Sequence, residues 1–345
     1  MSLVIRAIDV GYSWTKYVVE GDRVGGIRCR AFPSVAPRAS GRDLALDGLT
    51  QRQTVQIAID GVVFEVGPEA PLVQDVVQAF PHDDRYIHTS EYLALVRGAL
   101  RLMYVDHVDL LVVGLPVALY GPQREALAAR LLGAHELGTA MPLEVRAVRV
   151  LAQPVGALFS ATIEHPSLQH MQRARILLVD AGWRTLDWVV TSGGRIVDKR
   201  TDSVAKSLFD VIDVIARAIA RDLGVQLGLA DYVRIDEALR GNEPVRVAGM
   251  SIALDPYLPL GQRVADEAVT ALRRLVQEGT DIDHIVVAGG GAWFFANAVA
   301  RAYPTHTITA VPDAFHANCR GFQIAGLHQA MHEARRRIAG AAGTP

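Results

Sequence analysis

Two short segments of this chain each carry an aspartate followed two residues later by a glycine, inside a strand-like apolar run. The first holds Asp9 and Gly11, and the second holds Asp180 and Gly182. Glycine permits positive φ and lets backbone N–H groups approach a ligand closely, and tightly turned amides of this kind bind anions. The neighbouring acid would repel a phosphate unless a divalent cation lay between them, as Mg²⁺ does when it bridges carboxylate and phosphate oxygens. Each segment therefore predicts half of a magnesium–phosphate site.

The two segments also repeat one another beyond these residues. Each pair taken alone reads more simply as a turn that ends a strand, because Asp-x-Gly is common. Recurrence at the head of each half of the chain favours a shared ligand instead. Lys16, on the first hairpin, can add positive charge against phosphates. The identical positions are Ile5/Ile176, Asp9/Asp180, Gly11/Gly182, Val18/Val189 and Val19/Val190.

Two further segments could complete such a site. Gln153 stands at a strand-to-helix junction, with Pro154 suited to the first helical turn. Its amide could orient a water for attack on a γ-phosphate, while a plain helix-capping junction is an equally good interpretation. Three consecutive glycines, residues 289–291, follow an apolar strand and precede a helix, which leaves a flat backbone against which a nucleoside can lie.

The elements that must hold these residues alternate between strand and helix in both halves. The first hairpin is predicted at 3–10 and 15–20, and the second at 176–180 and 186–191. The mainly apolar runs over 108–115 and 282–288 are typical of buried strands. Strands at 54–59, 62–67 and 143–150 and helices over 90–104, 122–133 and 203–223 are also predicted.

The pattern indicates two α/β domains around a cleft, a usual place for a ligand. We predict one domain from 1–172 plus 325–345, with a small insertion at about 34–88. The other spans 173–324, with an insertion at about 225–262.

Composition limits the classes of protein. The chain has 345 residues, a formal net charge of −2 and only two cysteines. These values argue against a broad basic surface for nucleic acid and against a disulfide framework. No apolar run approaches the roughly 20 residues needed to span a bilayer, and no signal segment opens the chain. We expect a cytoplasmic protein without membrane or direct nucleic-acid contact.

Taken in order, these segments resemble the actin-like ATPase superfamily, and within it the ParM/StbA group of plasmid-segregation proteins, particularly its PRTRC-like branch. The resemblance implies a duplicated RNase H-like fold. The segments that carry it are Asp9–Tyr12 with Lys16, Phe32–Ser34, Val113–Pro116, Gln153–Ala157, Asp180–Asp187, Ala288–Gly291 and Ala317–Phe322.

The resemblance also implies roles for matching residues. Asp9 and Asp180 would hold Mg²⁺, mostly through water, and Gln153 would position the hydrolytic water. Asp236 and Arg240 are candidates for the base. The phosphates would be gripped by Gly11, Tyr12, Ser13 and Lys16 from one side and Gly182, Trp183 and Thr185 from the other, and adenosine would be contacted by Gly289, Gly290 and Gly291.

Two positions depart from the family pattern. Trp183 stands where many members have a small residue, so its indole should turn aside. The loop 203–207 lacks an expected glycine pair.

The implied function is ATP hydrolysis, with GTP left open, coupled to filament formation in plasmid or other DNA segregation, through an adaptor protein that binds DNA. Two alternatives remain at this stage. One is a small-molecule kinase of the sugar-kinase type, which needs a carboxylate base that the sequence does not reveal. The other is a nucleotide-binding scaffold that has lost hydrolysis.

Overall fold

The computed structural model describes residues 3–21, 26–39, 52–73, 85–164 and 173–342. The first predicted insertion, at about 34–88, is therefore seen in part, since 40–51 and 74–84 lie outside these ranges, and the second, at about 225–262, lies wholly within them. Within the described ranges, no helix is both long enough and apolar enough to cross a membrane.

The first half of the chain contains ten strands and three helices among its described residues. They are β1 (Ile5–Val10), β2 (Trp14–Glu20), β3 (Arg28–Pro33), β4 (Val55–Ile59), β5 (Val62–Val66), α1 (Ser90–Leu102), β6 (His107–Val108), β7 (Leu110–Leu115), α2 (Val117–Leu131), β8 (Gly133–His135), β9 (Leu143–Val145), β10 (Val148–Ala152) and α3 (Gln153–Glu164).

The second half, as described, contains eight strands and five helices. They are β11 (Arg175–Ala181), β12 (Leu186–Ser192), β13 (Arg195–Ile196), β14 (Asp202–Val204), α4 (Leu208–Leu223), α5 (Leu229–Gly241), β15 (Val245–Val247), β16 (Met250–Ile252), α6 (Leu258–Val276), β17 (His284–Ala288), α7 (Ala292–Ala302), β18 (Ile308–Ala310) and α8 (Ala317–Ala342).

The two main sheets share one plan. Their strand orders are β10-β7-β1-β2-β3 and β18-β17-β11-β12-β13, and β14 also pairs with β12. In each sheet an antiparallel hairpin is extended on one side by two parallel strands and on the other by an antiparallel strand. The predicted duplication is confirmed at the level of topology.

Strand β1 is buried along its whole length because helices cover both faces of its sheet. On one face Ile8 packs into a core with residues of α1, such as Leu95. On the other face Ala7 packs into a cluster with Phe322 of α8. Burial on both faces explains why four of the six residues of β1 are apolar, with Arg6 and Asp9 as its two charged residues.

Two helices cross between the halves. Helix α3 follows β10 of the first sheet but packs against β11 and β12 of the second. Helix α8 follows β18 of the second sheet but packs against β1 and β7 of the first. The two helices touch at Gly156 and Gly321, where a Cβ on Gly321 would lie 1.6 Å from the Gly156 carbonyl oxygen. This close approach requires glycine at both positions. The exact boundaries of the two domains stay a prediction.

Several predicted elements differ from the structure. Helix α2 begins at Val117 rather than at 122, so Pro122 lies inside it. The predicted helix over 203–223 begins only at Leu208, because residues 202–204 form β14 on the edge of β12. The predicted strand over 143–150 is two strands, β9 and β10, and the second insertion contains the hairpin β15–β16.

Candidate functional site

The tips of the two central hairpins have the same construction. Gly11 donates its N–H to the Trp14 carbonyl at 3.1 Å, and Gly182 donates to the Thr185 carbonyl at 3.0 Å. A Cβ on either glycine would lie 3.0 Å from that same carbonyl oxygen. Neither glycine uses the positive φ that its residue type permits, since neither is among the glycines in the left-handed region. Close approach across the turn, rather than backbone handedness, favours glycine here.

A buried serine hydroxyl braces each tip from outside the hairpin. Ser34, after β3, donates to the Gly11 carbonyl at 2.7 Å. Ser207, at the start of α4, donates to the Gly182 carbonyl, also at 2.7 Å. The loop that lacks the expected glycine pair therefore supplies the second brace. Each tip is held by bonds outside its own hairpin, which fixes the orientation of its amides.

The register of the hairpins is also the same, but the partners of the two aspartates differ. Asp9 pairs across its hairpin with Lys16, and Asp180 pairs with Asp187. Lys16 Nζ lies 3.2 Å from Asp9 Oδ2, and Gln153 Nε2 donates to Asp9 Oδ1 at 2.9 Å. The first hairpin thus has an acid–base pair where the second has two acids.

The two acids of the second hairpin are almost fully buried. Burial, followed by the charges of Asp187 and Asp9, raises the pKa of Asp180 to about 7, although Asn318 Nδ2 donates to its Oδ2 at 2.7 Å. Burial also raises the pKa of Asp187 to about 6, against the effect of hydrogen bonds from the Thr185 hydroxyl and the Val117 N–H. The site therefore holds negative charge at a free-energy penalty that a bound cation would relieve.

Both hairpin tips face one cavity, as the sequence predicted. In this conformation the cavity measures about 60 Å³, well below the roughly 300 Å³ at which pockets for small ligands begin. A nucleotide would need a wider cleft. The predicted residues that line it are Asp9, Gly11, Tyr12, Ser13, Lys16, Gln153, Asp180, Gly182, Trp183, Thr185, Gly289 and Gly290, together with Asp236 and Arg240.

The glycine loop closes the cavity beside the second hairpin. Gly289 has φ 88°, and a Cβ there would lie 2.2 Å from Asp180 Oδ1. Gly291 donates its N–H to the Ala181 carbonyl at 2.8 Å and does not line the cavity. Arg240 donates to the Gly290 carbonyl at 2.6 Å and to Asp236 at 2.9 Å, which ties α5 to this loop.

Aromatic and basic side chains connect the two halves across the cavity. Arg184 Nη1 donates to the Tyr12 hydroxyl at 3.0 Å. Phe315, in the loop before α8, meets Trp14 edge-on at 5.8 Å between ring centres, and Lys16 Nζ lies 4.9 Å from its ring centre. These contacts join the two halves of the molecule across the cavity.

The indole of Trp183 lies as expected. Its ring centre is 5.8 Å from that of Phe209 on α4, so the indole packs against its own half of the molecule. The backbone of this hairpin tip can therefore approach a ligand in the cavity.

Sequence reasoning missed six residues that line the cavity, the apolar Trp14 and Leu208 among them. Arg184 and Asp187 lie inside the second repeat, but at positions where the first repeat has Ser13 and Lys16. A comparison restricted to identical positions passes over them. Phe315 and Asn318 come from the region around the start of α8. Asn318 belongs to the segment Ala317–Phe322 that carries the resemblance, but no role was predicted for either residue.

The donors in this cavity fit Mg²⁺. Among the described residues, no group of three or more His, Cys, Asp or Glu is arranged to hold a metal ion by itself. Mg²⁺ typically uses one or two carboxylates, completes its shell with water and phosphate oxygens, and takes oxygen donors only. Asp9 and Asp180 supply two such carboxylates. The raised pKa of Asp180 shows that its ionised form is disfavoured, and a cation bound beside it would stabilise that form.

Two family models match the chain. The model for actin like proteins, N terminal domain, matches residues 7–156, and the model for the C-terminal part of the archaeal actin homologue MreB-like matches residues 178–301. The duplicated sheets and the cleft between them are the arrangement of an actin-like protein. The chain belongs to the actin-like ATPase superfamily.

Solved structures share this fold. A non-polymerisable quadruple mutant of pCBH ParM has a TM-score of 0.76 at 18% identity, covering 93% of this chain and 98% of that one. A 15-stranded ParM filament from Clostridium botulinum gives 0.73 at 19% identity, covering 94% and 99%. Ta0583, an archaeal actin homologue, in complex with ADP gives 0.72 at 20% identity, also covering 94% and 99%. At these identities the likeness concerns the fold alone.

One curated relative belongs to a different class. The heat-inducible transcription repressor HrcA of Kocuria rhizophila is 30% identical over 174 residues, which is 50% of this chain and 45% of the repressor. The chain thus spans less than half the length of that protein, and the match carries no function to this chain.

Proposed function

We propose that this chain binds ATP with Mg²⁺ between its two central hairpins, hydrolyses it, and self-assembles according to the nucleotide bound. One observation carries the proposal. Two equivalent hairpins, each with a buried aspartate and a braced glycine tip, line the same cavity. A ligand with several phosphates and a divalent cation would satisfy both carboxylates and both sets of amides.

Each half would hold one side of the triphosphate. Asp9 and Asp180 would hold the metal, which would neutralise charge on the β- and γ-phosphates. Lys16, already 3.2 Å from Asp9, would share its charge with the phosphates. The amides of both tips would bind phosphate oxygens without reorganisation, because each tip is braced. Catalysis would consist mainly of positioning and electrostatic stabilisation.

Gln153 is the residue we assign to the attacking water. Its Nε2 donates to Asp9 Oδ1, which orients the amide. The carbonyl Oε1 at the other end can then accept a hydrogen bond from a water and leave the water oxygen free to attack. This arrangement favours the water-positioning interpretation over a simple helix-capping junction.

The nucleoside base would occupy a second, larger cavity of about 460 Å³. Arg240 lines the first cavity and Trp293 lines the second, and the guanidinium carbon lies 5.6 Å from the indole ring centre. Phe294 and Asn297 add a second aromatic ring and an amide to the wall. An aromatic base fits such a lining. Adenine and guanine would differ in the hydrogen bonds that their edges make with the polar groups of this wall.

The superfamily and the position of the cleft support self-assembly. Both halves would contact the γ-phosphate, so its loss should release one half and change the outer surface. A ParM relative forms a filament. We propose a filament of this chain, a DNA-binding adaptor as its partner, segregation of plasmid DNA as its use and the cytoplasm as its location. A filament needs head-to-tail contacts that do not close into a ring.

The small-molecule kinase alternative gains one observation. Asp187 is a buried carboxylate in the cavity, which the sequence argument against a kinase did not recognise. One of its oxygens accepts from the Val117 N–H and the other from the Thr185 hydroxyl. These bonds favour a structural carboxylate over a base for an acceptor hydroxyl. Stimulation of ATP turnover by a small polyol would support the kinase instead.

The proposal is tested by phosphate release and by sedimentation or light scattering at tens of micromolar protein. We expect Mg²⁺-dependent release that Asp180→Ala abolishes, and assembly that requires ATP. A flat scattering signal with every nucleotide would contradict assembly. Equal release by wild type and Asp180→Ala would favour the non-hydrolysing scaffold.

A further inference from the structure

Arg184 places a guanidinium group at the tip of the second hairpin. It stands between Gly182 and Thr185, the two residues whose backbone bond closes the turn, and its side chain lines the cavity. Lys16 comes from the first hairpin and Arg240 from α5, so Arg184 is the cation of the second hairpin among the residues that line the cavity. A ligand held between both tips would lie within the region that this side chain borders.

The guanidinium contacts Tyr12 across the cleft. Nη1 donates to the hydroxyl at 3.0 Å, and the guanidinium carbon lies 4.9 Å from the ring centre. Tyr12 is itself fixed by stacking on Tyr86, with 5.6 Å between ring centres. The contact therefore holds Arg184 beside the first hairpin, where the phosphates are proposed to bind.

This contact is weaker than the one a phosphate would offer. The hydrogen bond to Tyr12 joins a charged donor to a neutral acceptor, and the cation–π contact beside it is only partly buried. Arginine binds phosphate through two parallel hydrogen bonds in which donor and acceptor are both charged, so the phosphate adds a second bond and an ion-pair attraction. A bound triphosphate should therefore draw Arg184 from Tyr12.

We propose that Arg184 is a catalytic residue, an arginine supplied in cis that stabilises the transferring phosphoryl group; the proposal rests on the ATPase function proposed above. The water oxygen forms a bond to the γ-phosphorus. The bond from the γ-phosphorus to the β–γ bridging oxygen breaks, and its electron pair leaves with ADP. A water proton is released to solvent, so the products are ADP and hydrogenphosphate. Arg184 binds the oxygens on which negative charge accumulates during this step.

The test compares Arg184→Gln and Arg184→Lys with wild type in steady-state ATP hydrolysis. Arginines of this kind contribute about 10³–10⁵ to kcat. We expect Arg184→Gln to lower kcat by at least about 100-fold while KM and the Kd for ADP change less than about threefold. Arg184→Lys should keep part of the rate, since the charge remains but the planar fork is lost. Arg195→Gln, an exposed arginine on β13, is the matched control and should leave kcat unchanged.

Two further measurements distinguish a catalytic role of Arg184 from a role only in nucleotide binding or in the contact between the two halves. Aluminium fluoride with ADP imitates the transferring phosphoryl group, and a residue that acts in the transition state should matter more for this complex than for ADP. We expect Arg184→Gln to bind ADP normally and to lose the aluminium fluoride complex. Millimolar guanidinium should partly restore hydrolysis to Arg184→Ala.

The outcomes that overturn the proposal are distinct. If wild type hydrolyses ATP and Arg184→Gln does so within threefold of it, Arg184 is not catalytic and the ATPase proposal stands. If Arg184→Gln loses ADP affinity as strongly as kcat, the residue acts as a clasp. Absence of hydrolysis by wild type overturns the ATPase proposal and this one with it.

Discussion

Asp180→Asn should stabilise the metal-free protein at alkaline pH. Asp180 is buried, with Asp9 and Asp187 facing it, and these surroundings raise its pKa from 3.8 to about 7. A carboxyl whose pKa is higher in the folded than in the unfolded state stabilises the fold at pH values where it is protonated. That stabilisation is complete below the unfolded value and is lost as pH rises through the folded one. Asparagine has nearly the same shape and never ionises.

The magnitude follows from the size of the shift. A change of about three pKa units, at 1.36 kcal/mol each, corresponds to roughly 4 kcal/mol at pH 8 as an upper value. At pH 5.5 the same relation leaves roughly 2 kcal/mol. For a chain of this length, about 4 kcal/mol corresponds to a rise in Tm of about 5 °C. The gain should therefore grow between pH 5.5 and pH 8.

The assay is thermal or urea unfolding in EDTA at pH 5.5, 6.5, 7.5 and 8. Asp198→Asn, at an exposed position, is the control for removal of one negative charge and should show little change. Excess Mg²⁺ with ATP should reverse the order, because wild type gains ligand binding that the variant has lost. A variant less stable than wild type at pH 8, or a gain that does not depend on pH, would refute this account of the site.

Three other substitutions test separate parts of the site. Gly289→Ala should destabilise the fold by at least about 2 kcal/mol and abolish ATP binding, because its Cβ would lie 2.2 Å from Asp180 Oδ1. Gly194→Ala has a similar positive φ but open space around it, so an equal loss in urea unfolding would contradict the clash. Gln153→Ala should lower kcat about 100-fold with little change in ATP affinity, and unchanged phosphate release would remove it from the chemistry. Trp293→Ala should weaken ADP binding about tenfold but leave pyrophosphate binding unchanged, and equal weakening of both in calorimetry would contradict the proposed base site.

The topology was accessible from the sequence because its signals are local. Asp9 and Asp180 interrupt strands that are apolar on both faces, and the glycines two residues later mark equivalent turns. Hairpins pair neighbouring segments, so a repeated hairpin predicts a repeated sheet. The shared cavity of Asp9, Gly11, Asp180 and Gly182 follows from this duplication, whereas Gln153 and the glycine loop were predicted from separate local motifs.

The features that could not be predicted from the sequence depend on packing between distant segments. Asn318 reaches Asp180 because α8 crosses between the halves, and nothing near residue 318 in the sequence indicates that neighbour. The edge strand β14 is three residues long and forms because β12 offers it a free edge, so a helical pattern extended over it was wrong. Short elements of this kind are decided by the tertiary contact and not by propensity.

The different chemistry of the two hairpins also escaped the sequence comparison. Lys16 and Asp187 occupy equivalent register positions in the two hairpins. Lys16 balances the charge of Asp9, whereas Asp187 adds a second negative charge beside Asp180. This asymmetry explains why burial and like charge converge on Asp180. The residues that are identical in the two repeats predict the two hairpins. The residues that differ between them, Lys16 and Asp187, determine the charge next to each aspartate.

The most direct test of the central claim is calorimetric titration of ATP into the protein with and without Mg²⁺. We expect binding of one ATP per chain that requires Mg²⁺. Asp9→Ala and Asp180→Ala should each weaken it at least about 100-fold, while Asp198→Asn should have no effect. Magnesium-independent binding of the same strength, or tight binding by both alanine variants, would contradict a site shared between the two hairpins.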